Sequence, residues 1–238
     1  MKKKITIAWF SAGVSSFVAS YLIKSEIDKI VYCHIDNQHP DSLRFLKDAE
    51  KILDKEIEII QSEYKDIITV IKKFQFINSA YGAKCTDVLK KRVRKDYEQK
   101  YKDYDITQVW GFDIEERHRA DRIIESMPEY SHRFPLIERN LSKKDCHELS
   151  RRLGLKRPQM YDLGYANNNC VGCVKGGMGY WNKIRIDFPE TFKQMAITER
   201  VVGHSCIKDC FLDELDPERG NMSAEIFPEC SFFCEILP

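Results

Sequence analysis

The chain has 238 residues, 43% of them hydrophobic and 32% charged, which predicts a packed core and excludes a disordered chain. Thirty-eight basic residues balance 37 acidic ones, so no overall field attracts nucleic acid. No segment approaches the roughly 20 apolar residues of a membrane span. The first apolar run ends at Phe10, too early for a signal peptide, so we expect a cytoplasmic protein.

Apolar runs alternate with amphipathic stretches along the first 165 residues. The strand-like runs are 5–10, 30–35, 56–60 and 107–112, with a short extended element predicted at 133–138. Helical spacing occurs at 14–23, 41–53, 66–73, 85–101, 115–126 and 142–153. This alternation predicts an α/β fold with a doubly wound, mainly parallel sheet.

Composition changes near Tyr165, where asparagine, glycine and cysteine come together in the stretch ANNNCVGCVKGG. We therefore predict two parts, a core over residues 1–165 and a small cysteine-rich C-terminal lobe over residues 166–238.

The loop Ser11-Ala12-Gly13-Val14-Ser15-Ser16 joins the first strand to the first helix. Unpaired N–H groups at a helix N-terminus favour an anion, serine hydroxyls add donors, and Gly13 permits close backbone approach. From the residues alone, the loop is either a phosphate site or an ordinary strand-to-helix turn.

The loop resembles the pyrophosphate (PP) loop, SGGxDS, of ATP pyrophosphatases and of adenylyl-sulfate (APS) and phosphoadenylyl-sulfate (PAPS) reductases. Ala12 replaces a glycine of that pattern and Ser15 replaces its acid. The resemblance covers nearly the whole chain and is closest to short PAPS reductase-like proteins of bacteriophages. It implies an adenine nucleotide, ATP or PAPS/APS, on the loop, with Mg²⁺ as a further cofactor for ATP cleavage.

Other segments resemble the same family. The stretch 34–42 is similar to its DTGxxFPET segment, which directs Asp36 toward the sugar or base of the nucleotide. The stretch 111–122 is similar to GxRxxExxxR, which places Glu116 and Arg119 near phosphate or sulfate. Taken alone, these stretches also fit a solvated acidic turn and a helix with surface salt bridges.

Basic residues supply further candidates for phosphate or sulfate contacts. Lys175 follows the glycine- and cysteine-rich stretch, and Lys90 matches a family lysine. Lys90, Lys91, Arg92 and Arg94 are predicted to form a basic patch, because a helix sets positions 90 and 94 on one face.

Nine cysteines in a reducing compartment favour metal ligands, catalytic thiols or buried side chains over disulfides. Cys170-Val171-Gly172-Cys173 is a CxxC pair that could hold a metal, an iron–sulfur cluster or a redox disulfide. Cys85 begins a basic helix, where the helix N-terminus favours a thiolate. We interpret Cys33 and Cys146 as core residues.

In APS reductases a Cys-Cys-x-x-x-Lys segment and a later CxxC ligate a 4Fe–4S cluster. The resemblance thus assigns Cys85, Cys170 and Cys173 as ligands, while Thr86 stands where the second cysteine would be. The fourth ligand is then Cys230 or Cys234 of the tail, or the fourth iron stays open. Zinc is the alternative to the cluster.

The tail, PECSFFCEILP, resembles the segment that carries the nucleophilic cysteine of assimilatory reductases, which makes Cys230 a candidate catalytic residue beside Lys90 and Arg119. Cys206 and Cys210 form a CxxxC unit like Cys230 and Cys234, and the four could also bind structural zinc. Two adjacent phenylalanines, Phe232 and Phe233, would be costly to expose to water, so we predict that the tail packs against the C-terminal lobe.

Three functions fit these features. The first is an iron–sulfur-dependent ATP pyrophosphatase that transfers sulfur to a nucleic acid, with a cysteine desulfurase as partner. The second is a PAPS/APS reductase that releases sulfite and uses a thiol reductant. The third is a non-catalytic adenine-nucleotide-binding partner of a sulfur-transfer system.

Overall fold

The computed structural model describes residues 2–79 and 82–221. These residues form two compact units, each built from separate parts of the chain. The first unit comprises residues up to 33, 40–60 and 95–168, and the second comprises 34–39, 61–94 and the described residues from 169 onward. The last change of unit lies close to the expected division at 165/166, but 34–39 and 61–94 group with the C-terminal residues.

A five-stranded sheet forms the centre of the first unit, in the order β3-β2-β1-β6-β7. The strands are β1 (Lys3–Phe10), β2 (Lys29–His34), β3 (Ile57–Gln61), β6 (Tyr104–Val109) and β7 (Ser131–Arg133). The pairs β1–β2, β1–β6 and β6–β7 are parallel. The predicted α/β fold with a mainly parallel sheet is confirmed.

The strand order reverses beside β1. From β1 the chain proceeds outward to β2 and β3, and it later returns to the other side of β1 as β6 and then β7. Such a reversal opens a crevice at the carboxyl ends of the two central strands, where α/β proteins bind their ligands. The loops that follow β1 and β6 therefore border this crevice.

Helices cover the sheet and enclose the core. The helices of the first unit include α1 (Val14–Leu22), α2 (Asp41–Leu53), α6 (Arg117–Ser126), α7 (Pro135–Glu138), α8 (Lys143–Arg152) and α9 (Gln159–Asp162). Helix α1 packs against α2, α7 and α8. Phe10, Phe17 and Phe45 are fully buried in one apolar cluster between the sheet and these helices. Cys146 belongs to the same cluster, as predicted.

The extended element predicted at 133–138 is wrong beyond its first residue. Strand β7 ends at Arg133, and Pro135–Glu138 form one helical turn with proline at its start. Glu138 explains the turn, because its carboxylate accepts hydrogen bonds from the Phe134 N–H (3.0 Å) and the Arg133 guanidinium (2.9 Å). The proline fixes a backbone angle that suits a helix start.

The second unit contains a small hairpin and several helices. Its elements are α3 (Ile67–Phe74), β4 (Asn78–Ser79), β5 (Gly82–Ala83), α4 (Lys84–Thr86), α10 (Met178–Asp187) and α11 (Pro189–Val202). Helix α11 packs against α3 and α10. No helix in residues 2–79 and 82–221 has the length and apolar content needed to cross a membrane.

The predicted basic helix is present but interrupted. After α4, a π-helical turn at Asp87–Lys91 leads into α5 (Arg92–Gln99). Because a π turn inserts an extra residue, it shifts the faces of the following turns. Arg94 is consequently buried, whereas Arg92 is exposed, so the predicted patch containing Lys90 and Arg94 on one exposed face is wrong.

Candidate functional site

The loop at residues 11–16 ends in an uncapped helix. Gly13 is the N-cap of α1 with an extended backbone (φ −107°, ψ 161°), and it has no side chain to cap the helix. Hydrogen bonding along α1 begins where the Phe17 N–H donates to the Gly13 carbonyl (3.2 Å). The preceding amides carry the positive end of the helix dipole, which favours an anion such as phosphate.

Ala12 has left-handed backbone geometry, with φ of 58°. Its side chain is fully buried, so its methyl group fills space in the core. A left-handed conformation is strained for alanine and unstrained for glycine, which accounts for the glycine of the PP-loop pattern at this position. Ala12 therefore holds a strained backbone at the turn of this loop.

Ser16 holds the loop together. Its hydroxyl accepts hydrogen bonds from the N–H and the hydroxyl of Ser11 (both 3.1 Å) and donates to the Gly13 carbonyl (2.9 Å). Ser16 is buried, whereas Ser11 is exposed. Of the serines predicted to bind the nucleotide, Ser16 thus stabilises the loop from its buried side, whereas Ser11 faces solvent.

Ser15 is half-buried, and its hydroxyl hydrogen-bonds with the thiol of Cys146. Burial, together with the charge of Asp113, raises the pKa of Cys146 to about 12, although the hydrogen bond with Ser15 acts in the opposite direction. Cys146 consequently stays a neutral thiol, in line with its interpretation as a core residue. Ser15, at the position that carries an acid in the PP-loop pattern, is thus hydrogen-bonded to a core residue.

The segment after β6 lies against the first turn of α1. A Cβ atom on Gly111 would lie 2.5 Å from the Cα and 2.7 Å from the backbone nitrogen of Ser16. No side chain fits at those distances, so glycine permits this contact. The structure thereby brings the loops after the two central strands together at the crevice.

Glu116 and Arg119, both predicted to lie near phosphate, form an ion pair with each other. The guanidinium of Arg119 also stacks over the ring of Phe112, 4.4 Å from its centre. Asp113 starts this segment, since its carboxylate accepts from the Glu115 N–H (3.1 Å) while Glu116 accepts from the Asp113 N–H (3.2 Å). The stacking and the pairing hold Arg119 in one orientation.

Two residues that touch the loop were missed by the sequence analysis. The amide of Asn168 donates to the Ala12 carbonyl (2.8 Å) and to the Ser42 hydroxyl (3.0 Å). The hydroxyl of Tyr161 is close to Gly13, since a Cβ atom on Gly13 would lie 3.2 Å from it. No local pattern in the run of three asparagines shows which one reaches back 156 residues.

Asp36, Lys90 and Lys175 belong to the second unit, whereas the loop belongs to the first. The exposed carboxylate of Asp36 accepts a hydrogen bond from the Gln61 amide (2.6 Å) and lies 3.4 Å from the imidazole of His34. Lys90 is half-buried on the π turn, and Lys175 is buried. Their roles in binding stay predictions.

Three cysteines predicted as metal ligands, Cys85, Cys170 and Cys173, are buried in the second unit. The Tyr180 hydroxyl fixes the CxxC loop, because it accepts from the Cys173 N–H (3.0 Å) and donates to the Cys170 carbonyl (3.1 Å). The seven described cysteines carry thiols rather than disulfides.

Cys230, Cys234 and the predicted packing of the tail lie outside the described residues. Within residues 2–79 and 82–221, no three His, Cys, Asp or Glu side chains are grouped closely enough to hold a single metal ion.

No protein-family model matches the chain, and no curated protein matches it significantly. Among solved structures it is similar to phosphoadenylyl-sulfate (PAPS) reductase from Candida auris in a phosphate complex, with 10% identity and a TM-score of 0.49, over 69% of this chain and 80% of that one. It is also similar to NMN synthetase from Francisella tularensis, with 14% identity and a TM-score of 0.41, over 90% of this chain and 82% of that one.

Proposed function

We propose that this chain is an enzyme that binds an adenine nucleotide, with the phosphates of the nucleotide on the loop at residues 11–16. The observation that carries the proposal is the uncapped N-terminus of α1, which lies at the crevice where the strand order reverses. The backbone amides there would bind the phosphate oxygens, joined by the exposed hydroxyl of Ser11 once it turns away from Ser16. The sequence resemblance to PP-loop proteins supports the same assignment.

The reaction we propose first is adenylylation followed by sulfur transfer. A substrate oxygen attacks the α-phosphorus of ATP and pyrophosphate leaves. A sulfur nucleophile then attacks the activated carbon and AMP leaves. The loop stabilises the charge that develops on the departing pyrophosphate, and Arg119, held over Phe112, is the candidate cation for the same charge.

The resemblance supplies the remaining parts of this proposal. A nucleic acid is the acceptor, a cysteine desulfurase is the sulfur donor, and Mg²⁺ accompanies ATP. Asp36, Lys90 and Lys175 keep the nucleotide-binding roles that the resemblance gives them.

The resemblance implies a 4Fe–4S cluster, and what supports it is that Cys85, Cys170 and Cys173 are buried thiols within the second unit. These residues would hold the cluster, which would supply a site for carrying sulfur. Zinc on the same thiolates is the alternative.

A second candidate is a PAPS/APS reductase, in which Cys230 attacks the sulfur of the nucleotide and sulfite is released. One observation favours it: the acid of the PP-loop pattern is replaced by Ser15, whose hydroxyl bonds with Cys146. A reductase cleaves no ATP and does not need a carboxylate there to hold Mg²⁺.

One assay separates the candidates. Protein purified without oxygen is incubated with ATP in the presence of a nucleic acid and a sulfur donor, and separately with APS or PAPS and a thiol reductant. Pyrophosphate release from ATP supports the first reaction, and sulfite release supports the reductase. Tight nucleotide binding with neither product would overturn both and leave a non-catalytic binding partner.

A further inference from the structure

Cys206 lies next to the CxxC loop within the second unit. The side-chain amide of Asn78 donates to the carbonyl of Cys206 (3.0 Å) and also to the carbonyl of Val174, the residue after Cys173. One amide group therefore connects the two cysteine segments. Cys206 is 7% exposed, so its thiol points into the protein rather than into solvent.

The same hairpin brings Cys85 to this place. Asn78 in β4 pairs with Ala83 in β5, and Cys85 follows two residues later. Cys85 and Cys206 are near enough to interact, since the pKa of Cys206 is raised first by burial, then by Glu199, and also by the charge of Cys85. Four buried cysteines thus converge on one region.

Glu199 fixes the backbone around Cys206. Its fully buried carboxylate accepts from the N–H groups of Cys206 and Leu212, the latter at 2.7 Å. Cys210, four residues later in the same segment, is half-exposed, and its thiol donates to the Phe211 carbonyl (3.6 Å). The segment therefore presents one cysteine inward and a second one outward.

We propose that Cys206 is the fourth thiolate ligand of the cluster, together with Cys85, Cys170 and Cys173. This inference rests on the cluster in the proposed function. Each iron of a 4Fe–4S cluster takes its own thiolate, so the four sulfurs do not meet at one atom, and the geometry expected for a single metal ion is not required. Cys206 would supply the ligand that the family takes from the position occupied here by Thr86. Each thiol loses its proton on binding iron.

The test compares full-length wild type with Cys206→Ser, Cys206→Ala and the matched control Cys210→Ser, all purified without oxygen. We expect about four irons per wild-type chain and a brown absorption. Both Cys206 variants should lose at least half of the iron and change the electron paramagnetic resonance spectrum of the reduced cluster. Cys210→Ser should keep the iron content and spectrum of the wild type.

Wild-type iron content and an unchanged spectrum in a Cys206 variant would overturn the inference while leaving the cluster in place. An iron-free wild type would overturn the cluster and this inference together, but it would not affect nucleotide binding, which is measured separately by titration with ATP. Two substitutions are used because the hydroxyl of serine can still hydrogen-bond to Glu199, as the thiol of Cys206 does, whereas alanine cannot. Circular dichroism identifies any variant that is unfolded.

Discussion

At the scale of single residues, the backbone of Ala12 gives a direct prediction. Ala12→Gly and Ala19→Gly each remove one buried methyl group, but only Ala12 has φ of 58°. Left-handed geometry costs alanine about 1–2 kcal/mol, whereas glycine inside a helix such as α1 costs about 1 kcal/mol. In urea unfolding, Ala19→Gly should lower the free energy of unfolding by about 1 kcal/mol or more, and Ala12→Gly should leave it unchanged or raise it. Equal losses in the two variants would contradict the assigned loop geometry.

The loop shows what the sequence can and cannot predict at this scale. A strand that leads through serines and a glycine into a helix was enough to predict an anion site. The different positions of Ser11, which is exposed, and Ser16, which is buried, were not predictable, because they depend on a turn that brings the two hydroxyls into hydrogen-bonding contact. Gly111 and Asn168 reach the loop from about 100 and 156 residues away, so no local pattern could assign them.

At the scale of elements, the π turn in the basic helix predicts unequal roles for two arginines. Arg94 is 3% exposed, so Arg94→Ala should lower the free energy of unfolding by about 2 kcal/mol or more, because the packing of its buried side chain is lost. The side chain of Arg92 is 51% exposed and pairs with Asp87, so Arg92→Ala should cost less than about 1 kcal/mol. Urea unfolding of both variants measures the difference. A larger loss for Arg92→Ala than for Arg94→Ala would contradict the burial of Arg94.

The turn after β7 predicts a dependence on pH. Hydrogen bonds from Arg133 lower the pKa of Glu138 below its ordinary value of 4.5. The stabilisation is therefore present above that value and is lost as the pH falls through the lower pKa of the folded state. Glu138→Gln should cost about 0.5–1 kcal/mol at neutral pH, after screening by solvent, and nothing once the wild-type carboxyl is protonated.

Thermal unfolding at neutral and acidic pH checks this prediction. Glu148→Gln is the control, because Glu148 pairs with Arg152 on an exposed helix surface and should have little effect at any pH. A cost for Glu138→Gln that stays constant down to acidic pH would rule out the ionised carboxyl as the cause.

The elements themselves were largely predictable. Repeated apolar runs with helical stretches between them predicted the parallel sheet. The helix predicted at 142–153 corresponds to α8, which Ser142 caps by accepting a hydrogen bond from the Asp145 N–H (3.3 Å). The π turn and the helical turn at 135–138 were not predicted. Both depend on side-chain contacts that a hydrophobic pattern does not record.

At the scale of the whole molecule, the two units predict the behaviour of a fragment. Residues 166–238 alone lack 61–94, which belong to the same unit. Helix α11 would lose α3, and Val174 and Cys206 would lose the amide of Asn78. We expect this fragment to be unfolded, with poorly dispersed amide signals in NMR spectra. A dispersed spectrum and a cooperative thermal transition would show that it folds independently.

The sequence indicated where the chain changes composition but not which earlier residues join the C-terminal part. That grouping is set by long-range pairs, such as Val171 with Asn37 and Gln38 with Cys170. Periodicity and composition are local properties, so they carry no signal for such pairs.

The central claim is that the loop at residues 11–16 binds phosphate, and calorimetric titration with ATP tests it most directly. The extended backbone of Gly13 suits valine, whose Cβ would lie 3.2 Å from the Tyr161 hydroxyl and whose branched side chain would crowd the amides at the start of α1. We predict saturable binding to the wild type and to Ser142→Ala, which loses the cap of a different helix. Gly13→Val should bind at least about a hundredfold more weakly, or about 2.8 kcal/mol, while melting as a folded protein. A folded Gly13→Val variant that binds ATP as tightly as the wild type would contradict the account.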